Sequence, residues 1–479
     1  MMTINNQDTI CAIATAPGGA IGIIRVSGKD SINIVDNIFV PATSIPLKNR
    51  KAGTFTFGKI CNPTTNEVVD EVLVSLFRAP HSYTGEDTAE ISCHGSNYIL
   101  QQVLQLLILE GCRQAEPGEF TMRAFINGKM DLSQAEAVAD LIASTSSATH
   151  KMAMSQMRGD FSRKLKELRA RLLHLTSLME LELDFSDHEE LEFADRTELK
   201  NLTAEIESVI KRLVDSFSLG NAIKNGVPVA IIGKTNAGKS TLLNALVGEE
   251  RAIVSDVHGT TRDVIEDTVN INGTIFRFID TAGIRETSDI VESLGIERTF
   301  KKIDEANIVL WIIDRTDSPT LISDFANQVL PICKDKNLIV ILNKADLHVN
   351  NTEVDNYKHT IHEMLTDAYP EYTKLHIISI SAKQGTNLSD LRSLLTESIN
   401  IPTPSQNDVI VTNIRHYEAL TQALDAIHRI ENGLNNNIPT DLISQDLHEC
   451  LFHLSEITGG EITTSEVLSN IFKNFCIGK

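Results

Sequence analysis

The chain of 479 residues is long enough for several domains, and its 42% hydrophobic and 22% charged residues are ordinary for a globular protein. A net charge of −21 argues against wide nonspecific nucleic-acid binding. The seven cysteines include no C-x-x-C pair, so they indicate neither a disulfide framework nor a zinc site. We find no apolar stretch near the ~18 residues of a membrane span and no secretory leader pattern, and we therefore expect a cytoplasmic protein with no membrane segment.

The first 127 residues show the strand-rich, mixed pattern of an α+β domain. Apolar and alternating runs predict strands over 9–15, 21–26, 54–57, 68–77 and 89–93, and a helix over 98–109. Polar clusters with glycines lie around Arg25, before Asp87 and before Lys129. Such clusters are as often plain surface turns as ligand sites.

Segment 131–185 lacks proline and carries apolar residues at alternating spacings of three and four, which predicts a long helix. The members of this stripe are Phe161, Leu165, Leu168, Leu172, Leu175 and Met179. We favour the core face of a helical domain over a dimerising coiled coil, which needs about three or four sustained heptads. A second helix is predicted over 196–217, and Ser133 with Glu136 has capping-box spacing.

Residues 227–241 read VPVAIIGKTNAGKST, which is an apolar run, a glycine-cornered loop and a helix-prone segment. The spacing G-x-x-x-x-G-K-S lets successive backbone N–H groups cradle a phosphate at the start of a helix. Lys239 is expected to reach the β- and γ-phosphates, and the Ser240 hydroxyl to ligate Mg²⁺. The predicted phosphate-loop residues are Asn236, Ala237, Gly238, Lys239, Ser240 and Thr241.

Further motifs follow in the order that a GTPase needs. GTTRD offers Thr261 as a second Mg²⁺ hydroxyl, and DTAG at 280–283 offers a carboxylate near the metal. In NKAD, an ionised Asp346 accepts both the N1–H and the 2-amino group of guanine, a pair that adenine lacks. The added nucleotide-binding residues are Ser255, Asp256, Val257, His258, Gly259, Thr260, Thr261, Asp280, Thr281, Ala282, Gly283, Asn343, Lys344, Asp346, Ser381, Ala382 and Lys383. The ordered set favours a guanine nucleotide strongly over ATP.

The position after DTAG is Ile284, where many GTPases carry a glutamine that orients the attacking water. Isoleucine cannot orient water, so another polar group must do so. The following loop supplies Arg285, Glu286, Asp289 and Glu292, and a loop glutamate is favoured. Asn236 is a further polar group near the phosphates, and a monovalent cation held there is the alternative means of stabilising charge.

Strands predicted over 274–279, 308–313, 338–342 and 376–380 alternate with helices, which indicates a mostly parallel sheet. Helical spacing returns after a proline-containing linker at 401–406, so the nucleotide domain is expected to be an insertion within one helical domain. The predicted fold is therefore multidomain: an α+β domain at 1–127, a helical domain at 128–219 and 401–479, and an inserted α/β P-loop, Ras-like GTPase domain at 220–400.

The chain resembles the MnmE (TrmE) family of tRNA-modification GTPases over nearly its whole length. The resemblance rests on GKTNAGKS, GTTRD, DTAGIRET, NKAD, SAK, GAIGIIRVSG, SYTGED, GKMDLSQAEAVADLI and the terminal CIGK. It implies a homodimer joined through folate-binding-like N-terminal domains, and a flavoprotein partner, MnmG, that brings FAD and uses NADH, in a heterotetramer. Together the two proteins would add a carboxymethylaminomethyl or aminomethyl group to C5 of wobble uridine in certain tRNAs, with a 5-formyl- or methylene-tetrahydrofolate as the one-carbon donor.

The resemblance also assigns roles to residues. It implies that Glu292 is the catalytic glutamate and that Cys476 is needed for modification. The implied K⁺ ligands are Asn236, Ser255, Val257 and Thr260, beside Mg²⁺ on Ser240 and Thr261. The implied folate contacts are Arg25, Glu86, Lys129 and Lys479. The competing hypothesis is a regulatory or ribosome-assembly switch GTPase, for which we expect a basic RNA-binding appendage and no folate binding.

Overall fold

The computed structural model describes residues 8–16, 18–184, 196–234, 236–248, 267–279, 303–334, 336–347, 351–368, 375–398, 409–436 and 438–460, together with residues 472 and 478. The chain forms two compact units. The first unit comprises Met1–Ile142, Ala153–Ile210 and Glu418–Lys479, and the second comprises Ala143–Met152 and Lys211–Tyr417. The predicted four-part division at 127, 219 and 400 stays a proposal.

Seven strands of the first unit form one sheet. They are β1 Ile10–Ile13, β2 Ile21–Ser27, β3 Phe39–Pro41, β4 Phe55–Cys61, β5 Val68–Phe77, β6 Thr88–His94 and β7 Arg113–Gln114. The order is β3-β4-β5-β6-β2-β1-β7, and only the β1–β7 pair is parallel. One face packs against α1 (Ser31–Ile38) and α2 (Asn97–Leu109) in an apolar core. The strands and the helix predicted for this region are confirmed.

Five helices follow in the chain: α3 Glu119–Ile126, α4 Leu132–Ala143, α5 Ser147–Met157, α6 Asp160–Asp184 and α7 Arg196–Asn225. The predicted capping box of Ser133 and Glu136 is wrong, because α4 already begins at Leu132. The side chain of Asp131 accepts from the backbone N–H of Gln134 at 3.0 Å, and the Gln134 side chain accepts from the backbone N–H of Asp131 at 3.0 Å. The box therefore lies two residues earlier.

The second unit contains a six-stranded sheet made of β8 Val227–Ile232, β9 Asp267–Ile271, β10 Thr274–Phe278, β11 Ile308–Asp314, β12 Asn337–Asn343 and β13 His376–Ser379. Its order is β13-β12-β11-β8-β10-β9, parallel except for β9 against β10. The helices are α8 Lys239–Val247, α9 Pro319–Val329, α10 Asn351–Ala368 and α11 Leu388–Ser398. Separate apolar clusters cover the two faces, which explains why β11 is buried along its whole length.

Two last helices are α12 Ile414–Asn435 and α13 Thr440–Thr458. Helix α13 packs against α6. The six residues of the predicted stripe on α6 are only 0–2% exposed within the single chain, so the core-face interpretation is confirmed. Among the helices of the described residues, none is long and apolar enough to cross a membrane.

Candidate functional site

The glycine-cornered loop between β8 and α8 has the backbone that phosphate binding requires. Asn236 and Gly238 have φ angles of 67° and 103°, one on each side of Ala237, and this alternation turns successive N–H groups toward one side. Gly233 has a φ of 146°, and a Cβ there would lie 2.4 Å from the carbonyl oxygen of Ile312. The loop therefore runs too close to β11 for a larger residue at this corner.

Lys239 begins α8, and its ammonium group bridges the loop. Its Nζ donates to the carbonyl oxygens of Gly233 at 2.7 Å and Lys234 at 2.8 Å. Ser240 and Thr241 follow in the first turn of this helix. A hydroxyl oxygen is a ligand of the type that Mg²⁺ prefers, so Ser240 fits the expected metal. Its predicted partner Thr261 lies outside the described residues.

Asn343, at the end of β12, connects the phosphate loop to the base-binding motifs. Its Nδ2 donates to the carbonyl oxygen of Ala237 at 2.8 Å, and its Oδ1 accepts from the backbone N–H of Ala382 at 3.1 Å. A Cβ on Gly238 would lie 2.1 Å from Asn343 Nδ2. Because Gly238 has no side chain, the Asn343 amide has room to contact the loop.

Asp346 presents the carboxylate that the sequence predicts for guanine. Its Oδ1 accepts from the Ser381 hydroxyl at 2.6 Å. That hydrogen bond, with smaller contributions from Lys383 and Lys344, holds the pKa of Asp346 below its ordinary value. The group is ionised at neutral pH and suits two adjacent N–H donors.

Asp314 contacts the predicted base-binding motif and was not predicted from the sequence. It ends β11, and its carboxylate contacts the ammonium group of Lys344, whose backbone has a φ of 65°. Burial raises the pKa of Asp314, but bonds from Lys344 and Thr316 outweigh burial and keep that pKa low. The pattern of an acidic residue at the end of a buried apolar strand is the signal that could have revealed it.

Part of the predicted site lies outside the described residues. These residues are Ser255, Asp256, Val257, His258, Gly259, Thr260, Thr261, Asp280, Thr281, Ala282, Gly283, Glu292, Cys476 and Lys479. Their predicted roles stay predictions.

In the first unit, Arg25 lies on β2 among aromatic and acidic side chains. Its guanidinium carbon is 5.3 Å from the ring centre of Tyr83 and 5.6 Å from that of Phe120. Its Nε donates to Glu90 at 2.9 Å, and its Nη1 donates to the carbonyl oxygen of Gly478 at 3.3 Å. Gly478 of the C-terminal tail therefore contacts a side chain for which the family resemblance implies a folate contact.

The structure brings Glu86 and Lys129 to the same loop as Tyr83. Glu86 accepts from the Ser27 hydroxyl at 2.8 Å, and Ser27 lies on the same side of β2 as Arg25 because side chains alternate along a strand. Lys129 Nζ donates to the carbonyl oxygen of Pro80 at 2.9 Å. Arg25 and Lys129 thus both contact the segment 80–86, which ends at Glu86.

Glycine also shapes the tail contact. Gly478 is buried with a φ of 92°, and a Cβ there would lie 2.5 Å from the carbonyl oxygen of Ile13. Six positions earlier, Phe472 is 1% exposed and packs with Met122, Leu132 and Ala135. Both described tail residues therefore pack on the first unit.

The second unit is a P-loop GTPase domain. Its phosphate loop lies at the C-terminal end of a parallel strand, and Asn343 contacts that loop from the motif that also holds the ionised Asp346.

Two family models match the chain. One described as "GTP-binding protein TrmE N-terminus" matches residues 9–129, and one described as "MnmE helical domain" matches residues 132–476. The chain is 62% identical to the tRNA modification GTPase MnmE of Bacteroides thetaiotaomicron over 99% of this chain and 100% of that protein. It is 50% identical to the protein of the same name from Flavobacterium johnsoniae over 99% of this chain and 100% of that one. The chain belongs to the MnmE family of tRNA modification GTPases.

Solved structures give a weaker likeness. A crystal structure of a point variant of Era from Aquifex aeolicus, bound to GDP·AlF4⁻, is 31% identical and has a TM-score of 0.29, over 42% of this chain and 66% of that one. A GTP-binding protein of Sulfolobus solfataricus in complex with GDP is 19% identical with a TM-score of 0.27, over 48% of this chain and 66% of that one. The fold of the second unit is defined by the strand order of its sheet.

Proposed function

We propose that this chain is the GTP-hydrolysing subunit of a complex that adds a carboxymethylaminomethyl or aminomethyl group to C5 of wobble uridine in certain tRNAs. A tetrahydrofolate derivative supplies the one-carbon unit, and the flavoprotein MnmG supplies FAD and NADH chemistry within a heterotetramer. The observation that carries the proposal is the contact between Arg25 and Gly478, because it joins the CIGK tail to the candidate folate site in a chain that also has a guanine-nucleotide site.

The central test is mass spectrometry of wobble uridine in cells whose only copy of the gene carries Cys476→Ser or Lys239→Ala. We expect the modified nucleoside to be lost in both strains. Cys61→Ser is the matched control, since Cys61 is a half-buried thiol on β4, and it should leave modification intact. Normal modification in both test strains would reject the proposal.

Folate binding separates this function from a regulatory or ribosome-assembly GTPase. Arg25, Glu86 and Lys129 offer cationic and anionic groups around one loop, and Tyr83 offers a ring beside them. Such groups suit a flat heterocycle that carries a negatively charged tail. Equilibrium titration of the full chain with 5-formyltetrahydrofolate should give saturable binding, whereas the switch-GTPase hypothesis predicts none.

The GTPase reaction is proposed to need Mg²⁺ on Ser240 and Thr261 and K⁺ on Asn236, Ser255, Val257 and Thr260. The described loop supports the K⁺ proposal through Asn236, whose left-handed backbone puts it at the turn of the phosphate loop. Glu292 is proposed to orient the attacking water. Hydrolysis should be faster in KCl than in NaCl at equal ionic strength, and Asn236→Ala should remove the difference.

A homodimer through the N-terminal domains is supported by the sheet face opposite α1 and α2. Phe55, Phe57 and Leu73 are 74%, 51% and 46% exposed there, and Phe57 pairs with Leu73 across the strands. Monomers rarely leave large contiguous apolar patches exposed. Sedimentation equilibrium should report a dimer that Phe57→Asp converts to a monomer. A Phe57→Asp chain that stays dimeric would place the dimer contact elsewhere.

A further inference from the structure

Arg123 is among the largest fully buried side chains of the described residues in the first unit. It lies on α3 with 0% exposure. Its Nη1 donates to the Asp8 carbonyl oxygen at 2.8 Å and to the two Glu86 oxygens at 3.2 and 3.3 Å. Its Nη2 donates to the carboxylates of Asp8 at 2.7 Å and Glu119 at 3.0 Å. One guanidinium therefore joins three carboxylates from distant parts of the chain.

Glu86 is held from two sides. The Ser27 hydroxyl, itself buried, donates to Oε2, while Arg123 faces both oxygens. Two fixed donors restrict the rotamer of the carboxylate before any ligand arrives. A ligand that binds Glu86 then loses less side-chain entropy on binding, because the carboxylate is already oriented.

The same helix also supports the neighbourhood of Arg25. Phe120 lies beside the Arg25 guanidinium, and the Thr121 and Tyr83 hydroxyls are 2.9 Å apart. About one turn of α3 thus contacts Arg25, Tyr83 and Glu86, through Phe120, Thr121 and Arg123 respectively.

We propose that Arg123 is a positioning residue that orients the Glu86 carboxylate for folate binding. The inference rests on the proposed folate function and deepens it, because it assigns a role to a side chain that is wholly buried behind the site. Arg123 acts through Glu86 and does not itself touch the ligand.

Arg113 provides a matched control. Among the described residues its carboxylate partners are Asp8, with Nε at 2.6 Å, and Glu119, with Nη2 at 2.5 Å. These are two of the three carboxylates that Arg123 binds, and Glu86 is the third. Arg113→Gln therefore weakens the same charged cluster without removing the group that orients Glu86.

The experiment is titration of the full chain with 5-formyltetrahydrofolate, after thermal unfolding has established that each variant is folded. We expect Arg123→Gln to weaken binding by about tenfold or more and Arg113→Gln by less than about twofold. Arg123→Lys keeps the charge but loses the forked pair of donors, so its loss of affinity should lie between these values. This variant replaces Arg123→Gln in the titration if Arg123→Gln does not fold.

A double-mutant cycle tests whether Arg123 acts through Glu86. Glu86→Gln should weaken binding, and adding Arg123→Gln to it should cause little further loss, because the group to be positioned is already changed. Multiplicative losses, or equal losses in the Arg113 and Arg123 variants, would overturn the positioning role while leaving folate binding intact. A parent chain that does not bind 5-formyltetrahydrofolate at all would reject the proposed folate function, and this inference with it.

Discussion

The two units hold their polar groups by different physical means. In the GTPase domain the phosphate loop is shaped by backbone geometry, with left-handed residues at 236 and 238 and a lysine that spans the loop. In the first unit the candidate folate site is shaped by buried charge. Arg123 lies there between carboxylates that are as far as 115 positions away in the chain.

This difference predicts different responses to substitution. In the backbone-built loop one added atom at Gly238 displaces the Asn343 amide, which then loses the hydrogen bonds that connect it to the loop and to Ala382. A charged cluster fails by degrees, because each carboxylate keeps some of its partners when one is lost. The following variants test this contrast.

The largest effect is expected at Gly238. Alanine there would be strained at a φ of 103° and would collide with Asn343 Nδ2, so about 1–2 kcal/mol of strain adds to two lost hydrogen bonds of about 1 kcal/mol each. We expect the affinity for GTP to fall about 300-fold, measured by equilibrium nucleotide binding. Gly273→Ala is the control: its φ is 84°, but open space surrounds it, so it tests strain without collision. Equal losses in the two variants would contradict the role of the Asn343 contact.

A change at Asp346 tests base recognition. Asp346→Asn removes the charged acceptor of two guanine donors, and each such bond contributes about 1.5 kcal/mol or more. GTP affinity should fall about 100-fold, while xanthosine triphosphate should bind better than to the parent, because the amide can donate to the carbonyl at its C2 position. Unchanged selectivity between the two nucleotides would place the base elsewhere.

A smaller effect is expected at Gly478, where the C-terminal tail contacts the rest of the first unit. A Cβ there meets the Ile13 carbonyl oxygen at 2.5 Å, so Gly478→Ala should loosen the tail and weaken 5-formyltetrahydrofolate binding about tenfold. Gly111→Ala is a control in the same unit, with a φ of 112° and no atom within 4 Å. An affinity equal to that of the parent would show that the tail contact is not needed for binding.

The contrast also explains what the sequence could predict. The phosphate loop, Asn343 and Asp346 lie in short contiguous motifs at strand ends, so local patterns could predict them, and the structure brings Asn343 to the phosphate loop. Arg123 was not found, because its segment was interpreted as one of several polar clusters that are as often surface turns. The segment forms helix α3, and the i,i+4 pair of Glu119 and Arg123 was the available signal. Arg123 finds its other partners in Asp8 and Glu86, which lie far from α3 in the chain, and no local pattern reveals these contacts.

The smallest expected effect is on stability, through Asp8. Burial raises the pKa of this carboxyl, but hydrogen bonds and charges from Arg113 and Arg123 outweigh burial and lower that pKa below the ordinary value. A carboxyl with a lowered folded-state pKa stabilises the fold above its unfolded-state pKa of about 3.9, and the stabilisation is lost as pH falls through the folded-state pKa. Asp8→Asn should therefore lower the unfolding free energy by about 1 kcal/mol at pH 7, a small effect because solvent reaches part of the carboxylate.

At pH values low enough to protonate Asp8, Asp8→Asn should be as stable as the parent. Calorimetry at several pH values can follow this convergence. Asp30→Asn changes an exposed carboxylate of the same unit and should have a much smaller effect. A constant difference between Asp8→Asn and the parent across the acid range would mean that the loss comes from packing and not from charge. If the difference in unfolding free energy disappears in acid, charge stabilises the cluster of carboxylates around Arg113 and Arg123. The phosphate loop, by contrast, is shaped by backbone geometry.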